Sequence, residues 1–369
     1  MPKSTEKQPH DEGNPFDPLL RWLERPRTRR ELFRDIGAAT LATGGAAALA
    51  VYLWRQATTP EIEKRFGGKT ADITSILEGG LDEQTFSLER AMGENWNQNI
   101  AAKWQRAKTE KGWNDRDLCR MLVQIKAGRE ELGGESMKLV GRRFGFQKVY
   151  LLFDEKEDAA LSTITPATTL LVNLLHDTPA EMLPDLRNYT LPHEFSHIVV
   201  STGEDERVSK RLEHNPYVKY PEDANLDIVT QLFHERDIAH PMAEVLANTI
   251  GLQFAEAMGR RRQFVQGFSN HATRELRRYE RMPPQEQSFT DISDIAGYSV
   301  FAERLGERSL AGQLDRVSRS MFPAIVDNVV RMGQIQESQR KELEAKIGRG
   351  YDQLLGMLRG MATAELRGR

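Results

Sequence analysis

His193, Glu194 and His197 form an H-E-x-x-H pattern within Leu191-Pro192-His193-Glu194-Phe195-Ser196-His197-Ile198-Val199-Val200. Two histidines four residues apart on a helix are separated by about 40° around the axis and about 6 Å along it, so both imidazoles reach one metal ion. Glu194 lies about 100° round from His193, beside that clamp, where it can take a proton from a water at the metal. The chemistry this spacing predicts is hydrolysis assisted by one zinc ion, with Glu194 as general base. The bland alternative is a pair of core or surface histidines that hold nothing.

A helix used this way needs an apolar back. Leu191, Phe195, Ile198 and Val199 fall on the face opposite the histidines, which predicts burial for them and a polar front for the chemistry. Thr190 is the expected N-cap, Pro192 falls in the first turn where its missing N–H costs little, and Gly203 marks an exit.

A catalytic zinc takes three protein ligands and keeps one open position. A histidine six residues after His197 would complete the set in one known way, but Gly203 stands there. Downstream, His240 to Ala255 reads as a largely apolar helix opened by Pro241, with Glu244 as its anomaly. Ala247, Asn248, Gly251 and Ala255 share the side of Glu244, so a second helix can approach closely there. Met242, Val245, Leu246, Thr249 and Ile250 cover the other side. An ionised carboxylate on such a helix is expensive to bury alone, and a metal ion removes the difficulty. Glu244 is the expected third ligand; Glu204, Asp205 and Glu256 are the other acids within reach, each otherwise a solvated charge.

His193, Glu194 and His197 followed by Glu244, Ala247 and Asn248 resemble the gluzincins, the thermolysin-like class in which H-E-x-x-H is completed by a glutamate within E-x-x-A/S-N/D on a following helix. The resemblance covers about residues 145 to 260. It implies a zincin-like domain, zinc peptidase activity on a peptide or protein substrate, and a role for Asn248 in orienting a ligand histidine. The interval between His197 and Glu244 is longer than that pattern has. His214, His234, His240, Tyr217, Tyr220 and Tyr298 are all open as donors to an oxyanion, and the sequence does not choose among them.

The remaining chain must deliver and frame this centre. A formal charge of −3 argues against nucleic acid as a partner, and a single cysteine, Cys119, excludes an intrachain disulfide or a thiolate metal cluster. Residues 1–28 read as a disordered cytoplasmic segment. Arg29-Arg30 ahead of an uncharged, Ala/Gly-rich run from Ile36 to Trp54 resembles a twin-arginine export signal, which would make the twin-arginine export machinery a partner. The plain alternative is a single-pass anchor obeying the positive-inside bias. Either way residues 29–54 touch the membrane and the rest lies on the periplasmic or other extracytoplasmic face. The apolar run continues past the small-residue site Ala48-Leu49-Ala50, which favours an uncleaved anchor.

Helical periodicity over Ile73–Leu81, Phe86–Ala107 and Asp115–Lys126 predicts a helical N-terminal subdomain at 55–143. Lys148–Phe153, Ala159–Thr165 and Thr168–Asn173 read as strands opening a zincin-like catalytic domain at 144–290; the resemblance makes Thr168–Leu175 a candidate edge strand for pairing with extended substrate, and an ordinary interior strand is the equal alternative. A helical C-terminal region follows at 291–369, either packed on the core or used for assembly. The expected fold is α+β and mostly helical, with a small sheet. The rival reading is a non-enzymatic, membrane-tethered helical scaffold with a coincidental or retired motif; a zinc hydrolase acting on something other than peptides is a third.

Overall fold

A computed structural model describes residues 62 and 65–362 apart from 142, 158, 165–167, 204–234 and 333–335, with backbone alone at 200–203 and 235–239. The chain divides into two units, Met1–Arg65 and Phe66–Arg369, and the second carries every element named below. The export or anchor stretch at 29–54 lies outside the described residues. Among those described, no helix is long and apolar enough to cross a membrane.

The N-terminal part runs β1 (Thr70–Asp72), α1 (Thr74–Glu78), α2 (Leu88–Met92), α3 (Gln98–Lys111) and α4 (Asp115–Val140). Local signals set the ends of the long helices. The Asn97 side chain accepts from the N–H groups of Asn99 and Ile100 at 3.1 Å each, and the Asn114 side chain accepts from Asp117 N–H at 2.9 Å. Gly112 and Gly141 then close α3 and α4 at φ 75° and 68°, the left-handed conformation that glycine adopts without strain. The periodic stretch from Phe86 to Ala107 is thus two helices, because a 3-10 turn at Gly93–Asn95 interrupts it. In contrast, α4 continues fourteen residues beyond Lys126, since Leu132, Gly133 and Ser136 extend its buried face.

Three further strands follow: β2 (Lys148–Leu152), β3 (Leu161–Ile164) and β4 (Thr169–Asn173). The sheet order is β1-β2-β4-β3, with β2 and β4 parallel and both outer pairs antiparallel. All five residues of β4 are buried. This corrects the edge-strand expectation: Thr168–Leu175 holds an interior strand, because β4 is paired on both sides and buried on both faces. Among the described residues the outer strand on this side is β3.

A helical half completes the fold. It comprises α5 (Pro179–Asp185), a π-helical turn (Leu186–Thr190), α6 (Leu191–Gly203), α7 (Glu235–Ala257), α8 (Arg261–Arg281), α9 (Phe289–Leu305), α10 (Arg308–Ser320), α11 (Phe322–Arg331) and α12 (Arg340–Ala362). The architecture is therefore α+β, mostly helical, with one small mixed sheet.

Two buried clusters hold these layers. One joins the N-terminal helices to the sheet and to the back of α6, through Trp104, Trp113, Leu118, Val149, Leu170 and Phe195. The other joins α7 to the C-terminal helices, through Val245, Phe264, Phe268, Phe301, Ile325 and Tyr351. Helix α7 contributes Phe254 to the first and Val245 to the second, so it stitches them together.

Candidate metal centre

Helix α6 is not capped at Thr190. The π-helical turn runs straight into it, and Leu191 N–H is satisfied by Leu186 C=O, which leaves Thr190 no orphan donors to cap. Leu191, Phe195 and Ile198 are fully buried and Val199 is 5% exposed, so the apolar back is where the sequence put it. Helix α4 passes beneath: a Cβ at Gly128 would come within 2.8 Å of Leu191 Cδ1.

Pro241 does not open α7, which begins six residues earlier at Glu235. The proline sits within the helix and packs against Gly297 of α9, where a Cβ would lie 3.5 Å from its Cβ and carbonyl oxygen. The small side of α7 meets α6 as its composition requires. Ala247 and Ala255 are fully buried and Asn248 is 2% exposed, while a Cβ at Gly251 would stand 3.2 Å from Pro192 O.

That close approach delivers Glu244 to the histidine pair. His193 Nε2 lies 3.2 Å from Glu244 Oε2, His197 Nε2 lies 3.3 Å from Glu244 Oε1, and the two Nε2 atoms are 3.2 Å apart. Tetrahedral bonds of about 2.0 Å place neighbouring ligand atoms about 3.3 Å apart, so two nitrogens at this spacing with one carboxylate facing both are compatible with a single metal ion. His193, His197 and Glu244 are the one such group among the described residues. Of the other acids considered for this place, Glu256 pairs instead with Arg261, and Glu204 and Asp205 lie outside the described residues.

The electrostatics carry the same message. Burial alone would push the Glu244 carboxyl up, but the imidazoles of His197 and His193 outweigh it and hold the group well below the usual carboxylate range. Burial likewise opposes charge on His197, yet Glu244, aided by Glu194, raises its pKa to about 9. Glu194 is 8% exposed, and burial raises its pKa against the pull of His197 and His193. The side chain of Thr163 on β3 pulls it slightly the other way, so the outer strand and the candidate base are neighbours.

Asn248 stands behind the ligands: its Oδ1 lies 3.1 Å from His193 Nδ1, and its Nδ2 donates to Glu244 C=O at 3.0 Å. Of the open oxyanion donors, His214, His234, Tyr217 and Tyr220 lie outside the described residues. His240, one turn ahead of Glu244, points Nε2 to within 3.8 Å of Glu244 Oε1 while its Nδ1 meets Asp294 Oδ1 at 2.9 Å. Tyr298 pairs with His271 Nε2 at 3.2 Å.

Sequence reasoning passed over Thr163, Asp294 and His271, which reach the site by tertiary contact alone. It also passed over Tyr189, whose hydroxyl donates to Asn248 Oδ1 at 3.2 Å; its position four residues ahead of His193 was a signal that it shares that face. Set against known proteins, the chain matches no family model, no curated protein and no solved structure.

Proposed function

We propose that the protein is a zinc metallopeptidase of gluzincin type, with His193, His197 and Glu244 as ligands and Glu194 as general base. The observation that carries this reading is the cluster of two imidazole nitrogens 3.2 Å apart, each within 3.3 Å of a different oxygen of Glu244, flanked by the buried Glu194 carboxylate. Zinc held by these side chains supplies a Lewis acid and makes a water molecule acidic near neutral pH.

The chain's own residues do the rest. Glu194, its pKa raised by burial, accepts the proton of the attacking water and passes it to the leaving amine. Strand β3, with Thr163 beside that carboxylate, offers an edge along which an extended peptide can pair through its backbone. This geometry favours a peptide or protein substrate and a zincin-like arrangement of strand, active-site helix and ligand helix. The arginine pair and apolar run at 29–54 would deliver the folded domain through the twin-arginine machinery and keep it at the outer face of the membrane.

The test is metal analysis joined to peptide hydrolysis. The wild type should carry about one zinc per chain. Glu194→Gln should keep the metal and lose at least about 100-fold in turnover, and Glu244→Ala should lose the metal. A metal-free wild type, or full activity in Glu194→Gln, would refute the assignment.

A further inference from the structure

A cavity of about 320 Å³ opens between α1, α4 and the segment that leads into β2, and none of its lining belongs to the metal centre. That size falls within the range of pockets that take small molecules. Its apolar wall is Leu77, Phe144 and Phe146. Phe146 is fully buried and stands edge-on to Phe195 at 5.8 Å, so the cavity ends one ring away from the back of α6.

Five charged side chains line the opening, and three of them are satisfied. Arg129 Nη1 pairs with Glu78 at 3.0 Å, and Lys126 Nζ donates to Gly79 C=O at 3.0 Å. Arg143 and Glu130 remain, a cation and a carboxylate, both exposed and both without a hydrogen bond or ion pair among the described residues. Arg143 reaches over α4 at Gly133, one turn past Glu130, where a Cβ would stand 3.6 Å from its Nε. The two charges therefore border one space without closing on each other. On the same wall Gly145 leaves room, since a Cβ there would meet nothing within 4 Å.

A ligand that satisfies this arrangement brings a carboxylate to the Arg143 guanidinium, an ammonium to Glu130 and an apolar body to the aromatic wall. A simple anion would face Glu130 as a like charge, and a simple cation would face Arg143 in the same way. We propose that the cavity binds a free apolar amino acid or short peptide through both of its charged termini. Peptide hydrolysis releases molecules of this class, so the site would meet the protein's own products. That link rests on the peptidase reading given above, whereas the binding itself needs neither metal nor turnover.

Calorimetry on full-length Glu194→Gln protein, with leucyl-leucine as the probe, tests it. The dipeptide should bind one to one. N-acetyl-leucyl-leucine, which lacks the ammonium, and leucyl-leucinamide, which lacks the carboxylate, should each bind about 10-fold or more weakly. Arg143→Gln and Glu130→Gln should weaken the unmodified dipeptide by a similar factor. Gly145 does not have a positive φ, so Gly145→Leu fills the opening without backbone strain, keeps both charges and should abolish binding. No binding of leucyl-leucine, or undiminished binding in Arg143→Gln, Glu130→Gln or Gly145→Leu, overturns the proposal. Binding that survives these three changes and is lost in Glu244→Ala would place the dipeptide at the metal centre and overturn it as well. A wild type that takes up no zinc overturns the proposed function instead and leaves the cavity result standing.

Discussion

At the scale of single residues, the centre is a set of charges that would be costly in isolation. Glu244 is tolerable between α6 and α7 because two imidazoles face it, and the same contacts raise His197. His271 solves the problem the other way. Burial first, then the cation of Arg274, lowers its pKa from 6.5 to about 3, so it is neutral in the fold. A base with a depressed folded pKa contributes stability that is present above its unfolded pKa and lost as pH falls from about 6.5 towards 3, because only the unfolded chain takes up the proton. Urea unfolding across pH 4.5 to 7 should therefore show a slope smaller by up to about one proton, roughly 1.4 kcal/mol per pH unit, in His271→Gln than in the wild type. Equal slopes would show that His271 is protonated in the fold. None of this was visible from spacing, since the groups around His271 come from α6, α7, α8 and α9. The H-E-x-x-H clamp was visible, because all its parts lie within one turn of helix.

At the scale of elements, the decisive features are close approaches. The small side of α7 could be read from Ala247, Asn248, Gly251 and Ala255, and it does meet α6. The π-helical turn before α6 could not be read, which is why Thr190 was expected to cap; one extra residue per turn has no side-chain signature at this length. The turn presents Tyr189 to α8 across Gly267. Gly267→Ala should then be net destabilising by about 1 to 2 kcal/mol, since overpacking against Tyr189 Cβ exceeds the gain in helix propensity. It should also weaken metal binding, because the displaced ring carries the hydroxyl bonded to Asn248 Oδ1. Thermal unfolding and chelator competition read the two effects, and a variant more stable than the wild type would show that the helices yield freely.

At the scale of the whole molecule, the two ligand helices belong to different cores: the back of α6 packs with the N-terminal helices and sheet, and α7 packs chiefly with the C-terminal helices. A metal ion held by His193, His197 and Glu244, as proposed, would tie one core to the other. At a free concentration about 100-fold above Kd such a ligand adds about 2.7 kcal/mol. Chelation should lower Tm by about 5 °C or more, and Glu244→Ala should be indifferent to the chelator. A wild type with the same Tm in both conditions would place no bound metal across this seam.

By itself the sequence determined what depends on neighbours along the chain: the histidine pair, the buried back of α6, the small face around Glu244, and a mostly helical fold with a few short strands. Periodicity and spacing record which side chains share a face, and that record survives without coordinates. Only the tertiary structure decided that the expected Glu244 rather than another acid faces both imidazoles, that β4 is interior and β3 the outer strand, and that Tyr189 reaches Asn248. These are pairings between segments tens of residues apart, and they are selected by the joint packing of two cores, which no local pattern encodes.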